Sequence, residues 1–317
     1  MKLHRPTGRA LTGLALGLFT ALVWGTLPVI LKLVVEWLDV YTIAFARFLL
    51  AGLLTLPIAL RSRSFGAFIG ALRGRGLGAI SRLLLFLSVL GLTGNYLTFM
   101  GGLTFISPGT AQVVVQLSPL CMLLAGLFIF GEHFSRLQWL GLAVLLAGFA
   151  LFFHPRYEQL IDDFSTEGVG VLLIVLAAVL WGLYMVTQKQ LLQDLRPEVI
   201  LLCIYLGGSL LLSPWIKITD LLHLPLLGVV LLVASAMMTM VSYFTFAMAL
   251  HHVEASRIGV LIALTPLIVF GAMELLLWLR PGILEPEYLP PMSLIGALLV
   301  VVGSGFGSLG RTNRSAR

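Results

Sequence analysis

Apolar stretches recur along the whole chain, each bounded by charged residues, prolines or glycine clusters. They fall at 11–35, 41–60, 79–101, 107–130 and 137–153, and again at 167–189, 198–215, 225–249, 255–279 and 291–309. A helix needs roughly 20 apolar residues to cross about 30 Å of hydrocarbon, and each stretch is close to that length. The pattern predicts an all-α integral membrane protein with ten transmembrane helices.

The two sets repeat one another. The stretch from Asn95 to Leu120 holds two apolar segments on either side of a turn at Ser107-Pro108-Gly109. At a shift of 147 residues, Tyr243, Thr245, Phe246, Leu250, Val260, Pro266 and Leu267 fall on Tyr96, Thr98, Phe99, Leu103, Val113, Pro119 and Leu120. At a shift of 157, Trp181, Gly182, Val186 and Lys189 fall on Trp24, Gly25, Val29 and Lys32, and at 155 Gly296 and Gly303 fall on Gly141 and Gly148. A duplicated unit constrains the whole architecture. Residues 11–153 form one five-helix repeat and 167–309 the other, with basic tails at 1–10 and 310–317.

Composition removes the soluble alternatives. Of 317 residues, 59% are hydrophobic and 11% charged, and the mean hydropathy is +1.04, more apolar surface than one soluble core can hide. The net charge of +6 is concentrated at alternating span ends and not on one basic, aromatic face, so it reports orientation and no nucleic-acid partner. Lys2, Arg5 and Arg9, the run Arg61, Arg63, Arg73, Arg75 and Arg82, and Arg311, Arg314 and Arg317 mark the cytoplasmic side. The connection from His154 to Glu167, with Glu158, Asp162 and Asp163, is acidic and external. Five spans precede it, so the second repeat runs in the opposite sense to the first, with both termini cytoplasmic. The first apolar run is too long for a signal peptide and is read as an uncleaved span.

Candidate chemistry lies in the repeated segments. Tyr96, Phe99 and Leu103 share one helix face, as do Tyr243, Phe246 and Leu250. These stripes either pack helix on helix or face a cavity at a pseudo-twofold axis, and the tyrosine hydroxyls require partners at membrane depth. Pro119 and Pro266 are mid-span and deprive the carbonyls of Val115 and Ile262 of their helical donors. Such breaks are either packing kinks or part of a site, since broken backbone is tolerated where protein or a wet cavity re-satisfies it. Gln116 lies one turn before Pro119. Trp24 and Trp181 are mid-span, so an interfacial belt does not account for them; they pack or wall a cavity. The residues expected around a midplane solute are Trp24, Asn95, Tyr96, Gln116, Trp181, Tyr184 and Tyr243.

Charges inside spans are functional candidates by default. Lys32 and Lys189 lie near span ends and can snorkel. Arg47 and Glu274 are deeper, open to a paired structural role or to coupling and gating. Glu132 and Glu287 are expected in the water layer, capping the helices that follow them. Gly303 and Gly307 permit close helix approach, within one chain or at a homodimer seam. Cys121 and Cys203, both in apolar runs, read as small buried side chains.

Enzyme signatures are absent from the sequence. There is no phosphate-loop motif, no zinc helix, and His251 with His252 cannot line one helix face; neither a cofactor nor a metal is expected. The leading expectation is a secondary transporter for a small organic solute in the lipid bilayer. A phosphorylated-solute or nucleotide-sugar-type exchanger is the alternative within transport, and it would need Lys32, Arg47 or Lys189 in the cavity. A structural or receptor-like membrane partner is the alternative outside it.

The order of these motifs resembles the EamA-like branch of the drug/metabolite transporter superfamily. The resemblance rests on Trp24-Gly25 with Lys32, Tyr96 to Leu103 leading to Ser118-Pro119-Leu120, and Gly131-Glu132 followed by Gly141 and Gly148. In the second repeat it rests on Trp181-Gly182 with Lys189, and on Thr265-Pro266-Leu267 followed by Gly296 and Gly303. It implies a ten-helix inner-membrane carrier, commonly an exporter of amino acids or other metabolites, working by alternating access with spans five and ten outside the central cavity. The second half departs from the pattern in lacking the Gly-Glu pair as such.

Overall fold

A computed structural model describes residues 9–62, 65–72, 77–118, 121, 135–156, 166–252, 255–287 and 289–309. All regular structure among them is helical. Helices α1 (Ala10–Val34) and α2 (Val40–Arg61) are followed by the short α3 (Phe65–Leu72), then α4 (Ala79–Phe105) and α5 (Pro108–Val114). Next come α6 (Arg136–Phe153), α7 (Thr166–Leu191), α8 (Pro197–Leu212), the short α9 (Ile218–Leu222) and α10 (Leu226–His252). The last three are α11 (Ala255–Ile262), α12 (Thr265–Leu279) and α13 (Pro291–Leu309). Eight described helical segments are long and apolar enough to cross a membrane, so the chain is a multi-pass membrane protein. The expected fourth span is described only through Ser118 and at Cys121, and Pro119, Leu120, Gly131 and Glu132 lie outside the described residues.

Local chemistry starts these helices. Asp39 caps α2, its carboxylate accepting from the backbone N–H groups of Tyr41 and Thr42 at 3.0 and 3.1 Å. Ser107 caps α5, accepting from the Thr110 N–H at 3.1 Å, with Pro108 in the first helical position. Ser135 and Gln138 form a reciprocal capping box at the start of α6. Between Arg61 and Ala79, where the sequence shows only a basic connection, α3 forms instead. Its Phe68 is buried against Ala59 of α2 and Val199, Leu202 and Cys203 of α8, which is the apolar contact that makes a short helix worth ordering.

The chain divides into two compact units. Unit 1 holds Met1–Val29, Gly102–Val175 and Ser242–Arg317, and unit 2 holds Ile30–Gly101 and Leu176–Val241. The divisions fall inside α1, α4, α7 and α10.

In unit 1 the glycines matched between the repeats meet each other. A Cβ added at Gly148 of α6 would lie 2.6 Å from the Val300 nitrogen and 2.8 Å from the Gly296 carbonyl oxygen of α13. One added at Gly141 would lie 2.7 Å from the Gly303 carbonyl oxygen. Backbone touches backbone here, which only glycine permits, and the pairing 141 to 303 and 148 to 296 makes the two helices antiparallel. Their glycine faces are thus occupied within the chain. In unit 2, α2 and α8 are antiparallel as well: Gly52 packs on Leu206, Phe48 on Gly208, and Thr42 accepts from the Lys217 N–H at 3.0 Å.

Candidate functional site

Two interrupted helices in unit 1 build the candidate site. α5 ends at Val114, and the next turns tighten: the N–H of Gln116 donates to Val113 O at 3.1 Å and that of Ser118 to Val115 O at 2.9 Å. α11 ends at Ile262, the Leu264 N–H donates to Leu261 O at 3.1 Å, and α12 starts at Thr265 with Pro266 in its first turn. Proline has no N–H to give and clashes with a continuing helix, so the chain stops and restarts. The expected continuous span at 255–279 is therefore two helices.

Polar side chains join the two breaks. The Thr265 hydroxyl accepts from the amide nitrogens of Gln112 at 2.8 Å and Gln116 at 3.1 Å. The Gln116 carbonyl oxygen in turn accepts from the Ser304 hydroxyl of α13 at 3.1 Å. All four residues are buried. Gln112 and Gln116 are one helical turn apart and share a face, which is why both reach one hydroxyl. Sequence patterning points to Gln116 and misses Gln112, Thr265 and Ser304, although the i, i+4 glutamines and a threonine beside the mid-span proline are visible signals.

Beside this bridge stands an aromatic wall. Gly25 lets α1 approach the first turn of α12, where an added Cβ would meet Ile268 at 2.6 Å and the Thr265 carbonyl at 3.2 Å. The adjacent Trp24 donates its indole N–H to the Ser242 hydroxyl at 2.9 Å. Its ring lies 5.6 Å from Tyr243, edge to face, and 5.2 Å from Phe246. One turn along, the hydroxyls of Thr20 and Thr245 are hydrogen-bonded at 2.8 Å. Trp24, Tyr243 and Gln116 thus belong to one unit.

The other expected site residues lie in unit 2. Asn95 donates to the Ala177 carbonyl of α7 at 2.8 Å. Tyr96 is buried beneath the Arg47 guanidinium, which stands 4.5 Å from its ring centroid. Trp181 is half-buried and Tyr184 fully buried, both on α7. Arg47 itself is 2% exposed.

Lys32 is half-buried near the end of α1, and the side chain of Lys189 lies outside the described residues. Glu274 is exposed on α12, among Leu275 and Trp278. Glu287 goes elsewhere than to the helix that follows it: its carboxylate accepts from the Thr110 hydroxyl at 2.6 Å, in the first turn of α5. A negative charge there also favours the helix dipole. Among the described residues no group of three or more His, Cys, Asp and Glu side chains could hold a metal ion.

Comparison with known proteins agrees with this architecture. The EamA-like transporter family matches the chain twice, over residues 11–154 and 168–306. The chain is 30% identical over 302 residues to a Haemophilus influenzae protein named "uncharacterized transporter", covering 95% of both chains. It is 31% identical over 298 residues to the Escherichia coli K12 protein named "uncharacterized inner membrane transporter YhbE", covering 94% of this chain and 91% of that one. A protein of known crystal structure, 19% identical, shares the fold with a TM-score of 0.59 over 95% of this chain and 98% of its own. With the paired matches and the relatives aligned over nearly their full lengths, the chain belongs to the EamA-like transporter family and is a membrane transporter.

Proposed function

We propose that this transporter is a secondary active exporter of small organic metabolites, amino acids among them, working by alternating access in the inner membrane. The observation that carries the reading is the bridge between the two helix breaks, Gln112 and Gln116 to Thr265 and Ser304 to Gln116. Broken backbone at membrane depth needs partners, and transporters place solute sites where half-helices end. Amide and hydroxyl groups that bond one another can exchange those bonds for a solute's at little net cost. Trp24 and Tyr243 supply an apolar face with polar edges beside them. Asn95, Tyr96, Trp181 and Tyr184 act in the same transport cycle from unit 2, and Lys32, Arg47, Lys189 and Glu274 are the groups available for coupling or gating.

The proposed architecture is ten spans in two inverted repeats with cytoplasmic termini. Two repeat-equivalent pairs support it: α6 with α13, and α2 with α8, are each antiparallel, as inversion requires. Reporter fusions after Arg317 and within the segment 154–167 should read opposite sides of the membrane. Identical sidedness would break the inverted arrangement.

Export is tested in cells. The medium of a strain lacking this protein should hold less of at least one metabolite than the parent's, with that metabolite raised inside. An unchanged medium across carbon and nitrogen sources would count against export.

A further inference from the structure

Helix α3 carries no polar side chain. Phe65 to Leu72 are phenylalanine, leucine, isoleucine, alanine and glycine only, and a helix apolar all round lies against protein or lipid, not water. One side of it meets protein: Phe68 is buried on Ala59 of α2 and on Val199, Leu202 and Cys203 of α8, with Leu77, Leu85 of α4 and Leu195 packed on the same cluster. The other side is open. Gly66 is exposed, and a Cβ added there would meet nothing within 4 Å.

The segment that carries α3 is basic throughout. From Arg61 to Arg82 the sequence holds Arg61, Arg63, Arg73, Arg75 and Arg82 and no acidic residue. Contacts gather Arg61, Arg82 and Arg196 at one corner of unit 2, all three exposed. Arg61 follows Ala59 closely, Arg82 is one turn before Leu85, and Arg196 adjoins Leu195, so each stands at the edge of the cluster under α3. Arg196 donates to the Ser62 carbonyl at the end of α2 at 3.1 Å. The start of α4 is held to the same corner by the Ser81 hydroxyl, which donates to Asp194 at 2.7 Å. A second acid, Glu198, lies 4.0 Å from Arg196. Alongside the arginines, Ile80, Leu83 and Phe86 of α4 are exposed apolar side chains.

We infer that this corner, built by α3, the end of α2, the start of α4 and the turn before α8, binds an anionic phospholipid of the bilayer. The phosphate sits among Arg61, Arg82 and Arg196, and the acyl chains run over Ile80, Leu83 and Phe86. Guanidinium forks match phosphate oxygens, and basic clusters beside a span attract anionic headgroups. A soluble anion would satisfy the arginines and leave the apolar flank and the open face of α3 uncovered, whereas a phospholipid covers all of them. Touching segments that pack on α2, α4 and α8 together, the bound lipid stabilises unit 2. The site is independent of the transported solute and of the direction of transport.

The test is thermal denaturation of the purified full chain in detergent, titrated with phosphatidylglycerol. Phosphatidylcholine serves as the zwitterionic lipid and inorganic phosphate as the free anion. Phosphatidylglycerol should raise the melting temperature saturably, and less at high salt, while the other two should not. The double variant Arg61→Gln with Arg82→Gln should melt as the parent does without added lipid, since both side chains are exposed. It should need about tenfold more phosphatidylglycerol for the same rise. Gly66→Glu places a carboxylate on the open face of α3 without a clash and should weaken the response by like-charge repulsion. Arg136→Gln, at the start of α6 in unit 1, should leave it unchanged. Equal stabilisation by phosphatidylcholine, or its reproduction by phosphate alone, overturns the site. So does an unchanged titration in the arginine double variant, or in Gly66→Glu should the double variant fail to fold, and so does an equal loss in Arg136→Gln. Solute flux plays no part in these readings, so the site and the transport reading fail separately.

Discussion

Gln116→Ala should lower solute counterflow in proteoliposomes by about ten- to a hundredfold. The substitution removes the Ser304–Gln116 hydrogen bond and one of the two amides on Thr265. Deleting one partner of a buried polar contact costs about 1–3 kcal/mol, and each 1.4 kcal/mol is a factor of ten. Gln112→Ala is the informative companion. It leaves Gln116 bridging Thr265 and Ser304, so a much smaller loss is expected. Melting temperatures of both variants separate a lost solute contact from a lost fold. Full counterflow in both variants would show that the bridge has no special place in transport.

The largest effect on folding is expected from Gly148→Val. Its Cβ alone would lie 2.6 Å from the Val300 nitrogen, and backbone cannot swing aside as a side chain can. Forcing α6 and α13 apart costs about 2 kcal/mol or more and should sharply reduce the yield of monodisperse protein. Gly305→Ala, on α13, is the control, because an added Cβ there meets nothing within 4 Å. It should change stability by about 0.5 kcal/mol or less. Size-exclusion profiles and thermal denaturation read both. A Gly148→Val protein as stable as its parent would mean that the two helices do not pack as described.

Residues whose role follows from chain-local physics are legible in the sequence itself. Apolar run length places the helices to within a few residues, with α7 at Thr166–Leu191 against an expected 167–189. Proline chemistry places the interruption at Pro266. The matched glycines mark a close helix approach, although not which helix each meets.

What escapes the sequence is decided by contacts between distant segments. α3 reads as a basic connection because eight residues give little periodicity, and its helix is fixed by Phe68 against α2 and α8. Arg47 is conspicuous by depth, but Thr239 lies 192 residues away and nothing local pairs them. Glu287 has the position of a cap for the next helix, yet Thr110, 177 residues distant, holds it. Glu274 shows the same limit from the other side: depth along a span is readable, while the face that packs is a property of the neighbours.

Movement of small organic solutes by this chain alone, without nucleotide, is tested most directly by counterflow with the purified protein in liposomes, using a panel of metabolites weighted toward amino acids. Saturable exchange of at least one of them is expected, lost in Gln116→Ala and retained without ATP. Absence of saturable flux for every member of the panel, with protein shown to be folded and inserted, would contradict it.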